Sequence, residues 1–117
     1  MTITKKTDMT REVPLPTPGE ILMEEWLTPL GITQYALAKA LGVPPRRINE
    51  IVLGKRAITA DTAVRLAAFF DTDAQSWMNL QTYYATEIAR ENIADQLEQI
   101  RAAGVRRNGD VHAPRQR

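Results

Sequence analysis

The sequence predicts an all-α fold of five helices with an extended C-terminal helix and flexible arms, and three observations carry that expectation. Apolar residues recur at spacings of 3 and 4 over most of residues 17 to 103, which places them on single helical faces. Nearly every periodic run opens on a threonine, aspartate or proline and closes at a glycine or proline, the residues that start and stop helices. No internal run shows the period-2 alternation of a half-buried strand.

Residues 1–16 are polar and aperiodic and carry Pro14 and Pro16, so they are expected to form a flexible N-terminal arm. Helix one opens at Thr17, Pro18 and Glu20: a capping hydroxyl, a proline at the first helical position, and a glutamate that can return a bond to the cap's amide. Its stripe is Leu22, Met23, Trp26, Leu27 and Leu30, closed by Pro29 with Gly31. Thr33 caps helix two, in which Ala36, Leu37, Ala40 and Leu41 are expected on one face and Ala38 allows a close crossing. Gly42 ends it, because a left-handed terminal residue is easiest without a Cβ. Val43 plugs the corner, and Pro44 and Pro45 stop one helix and preset the next. Helix three keeps Ile48, Ile51 and Val52 on one stripe and ends at Gly54. Helix four runs from about Thr59 with Ala63, Leu66, Ala67 and Phe70. Asp73 should cap helix five, whose Trp77, Leu80, Tyr84 and Ile88 continue into Ala89, Ile93, Leu97 and Ile100, flanked by Glu91, Asp95, Glu98 and Arg101. The expected organisation is a domain over 17–82, a helical extension over 83–103, and a disordered basic tail over 104–117 with nothing to bury.

A chain of 117 residues suits one domain with a small core. Net charge is only +1, so no global basic field marks a nucleic-acid binder. The local balance is more telling: residues 33 to 56 contain Lys39, Arg46, Arg47, Lys55 and Arg56 against Glu50 alone, the segregation expected of a DNA-facing surface. The absence of cysteine removes disulfides, thiolate catalysis and cysteine-based zinc sites. His112 has no second histidine to share a metal. Lys5 and Lys6 precede no apolar core of a signal peptide, and no run has the length of a membrane span. The expectation is a soluble cytoplasmic protein, without cofactor or metal. With no phosphate-cradling glycine loop and no acidic pair in a recognisable pocket motif, it is not expected to be an enzyme.

The stretch TQYALAKALGVPPRRINEIVLGKR at 33–56 reads as helix, glycine turn and helix. It resembles the helix-turn-helix of the Cro and lambda-repressor (XRE) superfamily. With PGEIL at 18–22, ITADTAVRLAAFF at 58–70 and WMNLQTYY at 77–84, it resembles more narrowly the HigA antitoxins of bacterial toxin–antitoxin operons. The resemblance covers about residues 17–90 and implies a five-helix, lambda-repressor-like DNA-binding domain. It also implies an antitoxin that binds a cognate HigB-like, mRNA-cleaving toxin and represses its own operon, blocking by contact and not by chemistry.

By the same resemblance, the base-reading positions of the recognition helix are Pro45, Arg46, Asn49 and Glu50. Arg46 suits guanine, since a guanidinium can bond O6 and N7 together; Asn49 suits adenine; Glu50 can accept from cytosine or orient Arg46. Gln34 matches the family's phosphate-clamping glutamine. Thr33 beside it, Arg47 rotated about 100° from Arg46, and Lys55 and Arg56 beyond the helix complete the expected phosphate contacts. One recognition helix reads too few base pairs, so a homodimer on a pseudo-palindromic operator is expected, with Trp77, Leu80, Tyr84, Ile88, Ile93 and Leu97 as its surface. Leu53 stands where relatives often carry a polar residue, and Thr17 where histidine is frequent.

Duller readings compete. Paired arginines on a helix are often just solvated, and Lys55 and Arg56 could only complement a helix C-terminus. Trp26, Trp77, Tyr83 and Tyr84 fit a core or interface better than a ligand cage, and Glu20, Glu24 and Glu25 fit a solvated face. A stand-alone repressor without a toxin is the nearest functional alternative, and a helical interaction module that has lost DNA binding is a further one.

Overall fold

The computed structural model describes residues 13–105; expectations for residues 1–12 and 106–117, including Lys5, Lys6 and His112, lie outside the described residues. All regular structure there is helical, in six helices. The chain forms two compact units, the first ending at Tyr84 and the second beginning at Ala85.

Helix α1 covers 18–30 in three consecutive pieces: α-helical at Pro18–Ile21, π-helical at Leu22–Leu27, and α-helical again at Thr28–Leu30. Its start is a complete capping box. Thr17 N donates to Glu20 Oε1 at 2.9 Å, and Glu20 N donates to Thr17 Oγ1 at 3.1 Å. The π turn, in which Thr28 N donates to the Met23 carbonyl, was not expected. Its cause lies one residue on: Pro29 has no amide to give to Glu25, and its ring would crowd that carbonyl in a tight α turn. Leu30 is 58% exposed, so the inward stripe stops at Leu27, and left-handed Gly31 closes the helix.

Helix α2, Gln34–Leu41, is capped by Thr33, whose hydroxyl accepts from Ala36 N at 3.0 Å. Its buried face is Leu37, Ala38 and Leu41, while Ala36 and Ala40, expected on that face, are exposed. Alanine costs little in either environment, so it marks a face weakly. Gly42 at φ 74° ends the helix, and buried Val43 donates its amide to the Ala38 carbonyl at 3.0 Å. Pro44 and Pro45 then open α3, Pro45–Val52. Helix α4, Ala60–Phe70, is capped by Thr59 and ends at Asp71, the one described non-glycine residue with positive φ. Helix α5, Ala74–Asn92, begins directly after Asp73.

The core of the first unit joins α1 through α5: Leu22, Leu27, Leu37, Ala38, Leu41, Val43, Ile48, Ile51, Ile58, Ala63, Leu66, Ala67 and Trp77. A fully buried leucine or isoleucine contributes about 1.5–3 kcal/mol, against about 1 kcal/mol for a cap; packing therefore supplies the stability and the caps set boundaries. Trp77 packs on Trp26 and Phe70 with ring centroids 5.4 and 5.9 Å away, and its indole donates to Thr72 Oγ1 at 2.8 Å. Ile58 N donates to Gln81 Oε1 at 2.8 Å, which ties the α3–α4 loop to α5.

Gly19 explains the PGE block. A Cβ there would lie 1.8 Å from the Ile51 carbonyl oxygen, so only glycine lets α1 lie against the end of α3.

The second unit contains the end of α5 and helix α6, Ala94–Ala103. The single extended helix expected over this segment is interrupted at Ile93 (φ −119°, ψ 30°). Asn92 and Ile93 are both weak helix formers, and no residue from 85 to 105 is buried to hold the helix straight. Among the described residues, no helix is long and apolar enough to cross a membrane, and no cluster of acidic or histidine side chains could hold a metal.

Candidate nucleic-acid interface

The α2–α3 unit sets out a polar surface whose side chains are braced by one another. Arg46, on the first turn of α3, has a side chain 84% exposed, and its Nε donates to Glu50 Oε2 at 2.8 Å, one helical turn on. That bond uses the inner nitrogen and leaves the two terminal nitrogens for a bidentate contact. The other Glu50 oxygen accepts from Arg56 Nε and Nη2, both at 2.9 Å. Hydrogen bonds from Arg46 and then Arg56 outweigh the opposing effect of desolvation and hold the Glu50 carboxyl below the usual carboxylate range.

Gln34 joins three helices. Its Nε2 donates to Met23 Sδ of α1 at 3.6 Å, and its Oε1 accepts from Asn49 Nδ2 of α3 at 2.7 Å. Asn49 is thereby oriented, with Oδ1 and its second Nδ2 hydrogen available for an adenine edge. Gln34 keeps one Nε2 hydrogen for a phosphate oxygen, and Thr33 keeps its hydroxyl hydrogen, since its oxygen serves the cap. Pro45 and Lys55 are exposed, and Lys55 N donates to the Glu50 carbonyl at 2.8 Å.

The chain's likeness to known proteins lies over this same region. The helix-turn-helix family matches residues 23–77. Virulence-associated protein I of Dichelobacter nodosus is 57% identical over 81 residues, covering 69% of this chain and 75% of the relative. Antitoxin HigA-1 of Vibrio cholerae is 40% identical over 63 residues, covering 54% of this chain and 59% of that protein. Among solved structures, the Pseudomonas aeruginosa antitoxin HigA with higBA promoter superposes with a TM-score of 0.69 at 45% identity, over 72% of this chain and 91% of that one. The chain belongs to the helix-turn-helix family, in its HigA branch. It is thus a DNA-binding protein of antitoxin type, with helix-turn-helix transcriptional regulators and antitoxins among its relatives.

In this HigA-type chain, several expected site residues sit differently from the sequence reading. Arg47, expected to reach phosphate, has a side chain only 30% exposed and donates from Nη1 to Asp61 Oδ2 at 3.0 Å. Glu50 has both oxygens engaged by arginines, the geometry of an organiser more than of a cytosine acceptor. Trp77 is 2% exposed and belongs to the chain's own core, so it does not form part of a dimer surface. Leu80 is half-buried against that core, and Tyr84 and Ile88 are half-buried, as is Leu97; Ile93 is 40% exposed. Leu53 is 66% exposed at the end of α3.

Two residues of this surface escaped the sequence reading. Asp61 accepts from both Arg47 and Arg65, and Arg65 Nη1 also donates to the Leu41 carbonyl at 2.8 Å, closing the end of α2. The hydrogen bond from Arg65 is the main reason the Asp61 carboxyl lies below its usual range. The i, i+4 spacing of Asp61 and Arg65 was a usable local signal; the contact with Arg47 had none.

Proposed function

We propose that this chain is an antitoxin that reads its own operator as a homodimer and silences a cognate HigB-like mRNA-cleaving toxin by binding it. The observation that carries the DNA-reading part is Arg46: exposed at the leading turn of α3, anchored through Nε, with its outer nitrogens presented. Base edges are read from Pro45, Arg46 and Asn49, with Glu50 keeping Arg46 in position. Thr33, Gln34, Lys55 and Arg56 supply phosphate contacts, which fix register while base contacts carry the sequence information. Tyr84, Ile88, Ile93 and Leu97 are the surface through which two copies pair.

Support for operator binding comes from the HigA relative solved with its promoter, and for the toxin from the antitoxin names of the relatives. Footprinting on the DNA upstream of this gene tests the first part: two protected half-sites about one helical turn apart are expected, and a featureless pattern contradicts the reading. Co-expression with the product of the adjacent gene tests the second. A stable complex that restores growth is expected; protection of the operator without any such partner favours a stand-alone repressor.

A further inference from the structure

A hollow of about 450 Å³ opens between the α2–α3 turn and the first turn of α4, with Pro44, Arg47, Arg56, Asp61 and Arg65 in its lining. A single oxygen organises it. Asp61 Oδ2 accepts from Arg47 Nη1 at 3.0 Å and from Arg65 Nε at 2.9 Å, drawing together two guanidiniums that would otherwise repel. Arg65 does not depend on this carboxylate for its place, because its Nη1 is fixed on the Leu41 carbonyl at 2.8 Å. Arg56, shared with Glu50, adds a third cation to the lining. The first turn of α4 also favours negative charge.

We propose that this hollow is a phosphate subsite beside the DNA-reading surface, in which Asp61 Oδ2 occupies the place of a backbone phosphate oxygen and so withholds Arg47 and Arg65 from the duplex. The proposal rests on the operator-binding reading above. Arg47 follows Arg46 directly on α3, so a helix seated in the groove brings the hollow toward the flanking backbone. A phosphodiester has the same charge as the carboxylate and offers two oxygens where Asp61 uses one. Phosphate contacts carry no base information. By withholding Arg47 and Arg65 from every duplex, Asp61 therefore lowers affinity for operator and random DNA alike.

The test uses the full chain, its Asp61→Asn variant, and Asp61→Asn combined with Arg65→Ala. Each is titrated over a range of salt against the footprinted upstream fragment and a random duplex of equal length. Asp61→Asn should bind both duplexes more tightly and leave the operator-to-random ratio unchanged. Its plot of log affinity against log salt should steepen by about 0.9 per added contact, or about 2 for two half-sites. The added Arg65→Ala should reverse that change. Thermal unfolding is followed in parallel: a lowered midpoint with an unchanged salt slope assigns Asp61 to helix stability alone and overturns the proposal. Displacement of the duplex from Asp61→Asn by inorganic phosphate, at constant ionic strength and beyond the effect of sulfate, reassigns the hollow to a free phosphorylated ligand. If the unaltered chain binds neither duplex, the operator-binding reading itself fails; intact operator binding with no slope change removes only the subsite.

Discussion

In the proposed reading, Arg46 owes its effect to what restrains it. A free arginine side chain holds about 2 kcal/mol of rotamer entropy, and the Glu50 brace at 2.8 Å removes part of that freedom before DNA arrives. Arg46→Ala should weaken operator binding by about 1–3 kcal/mol, or about 5- to 150-fold, with a much smaller effect on a random duplex; paired titrations on both DNAs check this. Glu50→Gln keeps the shape but cannot accept from both Arg46 and Arg56 as a carboxylate does. It should raise affinity for random DNA and reduce discrimination, measured as the ratio of the two dissociation constants. The pH dependence has a definite sign. Glu50 titrates below its ordinary value of 4.5 in the folded chain, so the brace is complete above that value and is lost as pH falls through the lower, folded-state value. Operator affinity should therefore show no Glu50-dependent change from about pH 8 down to about pH 5, and a midpoint near neutrality in that range would contradict the assignment. The Arg46–Glu50 pair was legible in the sequence because i, i+4 neighbours share a helix face. The pairs Gln34–Asn49 and Arg47–Asp61 were not, because their partners are 15 and 14 residues apart and no local period links them.

At the scale of elements, local chemistry was read well wherever it acts locally. The Thr17 capping box, the Thr33 and Thr59 caps, left-handed Gly42 and the proline start of α3 all depend on neighbouring residues alone. Features set by distant packing were hidden. The alanines of α2 did not reveal which of them face inward, and the π turn of α1 needed the crowding at Pro29 to be weighed against core contacts on both sides. The break at Ile93 follows an apolar period that continues through it without interruption. Gly19 is the sharpest case, since it reads as an ordinary first-turn residue while its missing Cβ sets the contact between α1 and α3. Gly19→Ala would force the Ile51 backbone aside, at a cost of about 3 kcal/mol, the upper part of the usual range for overpacking. Because the displaced atoms end the recognition helix, operator affinity should fall together with the thermal midpoint. Gly31→Ala is a useful control: its Cβ would meet nothing within 4 Å, leaving only the strain of φ 69°, so it should lower the midpoint without altering operator affinity at temperatures where the protein is folded.

For the whole molecule, a net charge of +1 means that attraction to DNA must come from the arrangement of charge and from the number of recognition helices engaged together. The second unit has the composition to pair those helices. From 85 to 105 no side chain is buried within the chain, Ile93 and Ile100 are 40% and 58% exposed, and Ile88 and Leu97 are half-buried. In the proposed homodimer, a second copy of the same segment covers these apolar groups. Leu97→Glu combined with Ile100→Glu places charge in that contact while leaving the core around Leu22 and Trp77 untouched, since neither residue belongs to it. Sedimentation should then show a monomer with the thermal midpoint of the first unit preserved. With Lys55 and Arg56 as the cationic contacts of each half-site, the dimer should show a salt slope of about −3.6 and the monomer one of about −1.8, because each contact contributes about 0.9. Operator affinity should fall steeply, and binding to a random duplex should fall by the smaller amount carried by the lost phosphate contacts. A variant that still sediments as a dimer and keeps the steeper slope would place the pairing surface elsewhere in the chain, leaving the reading of Arg46 and Asn49 intact.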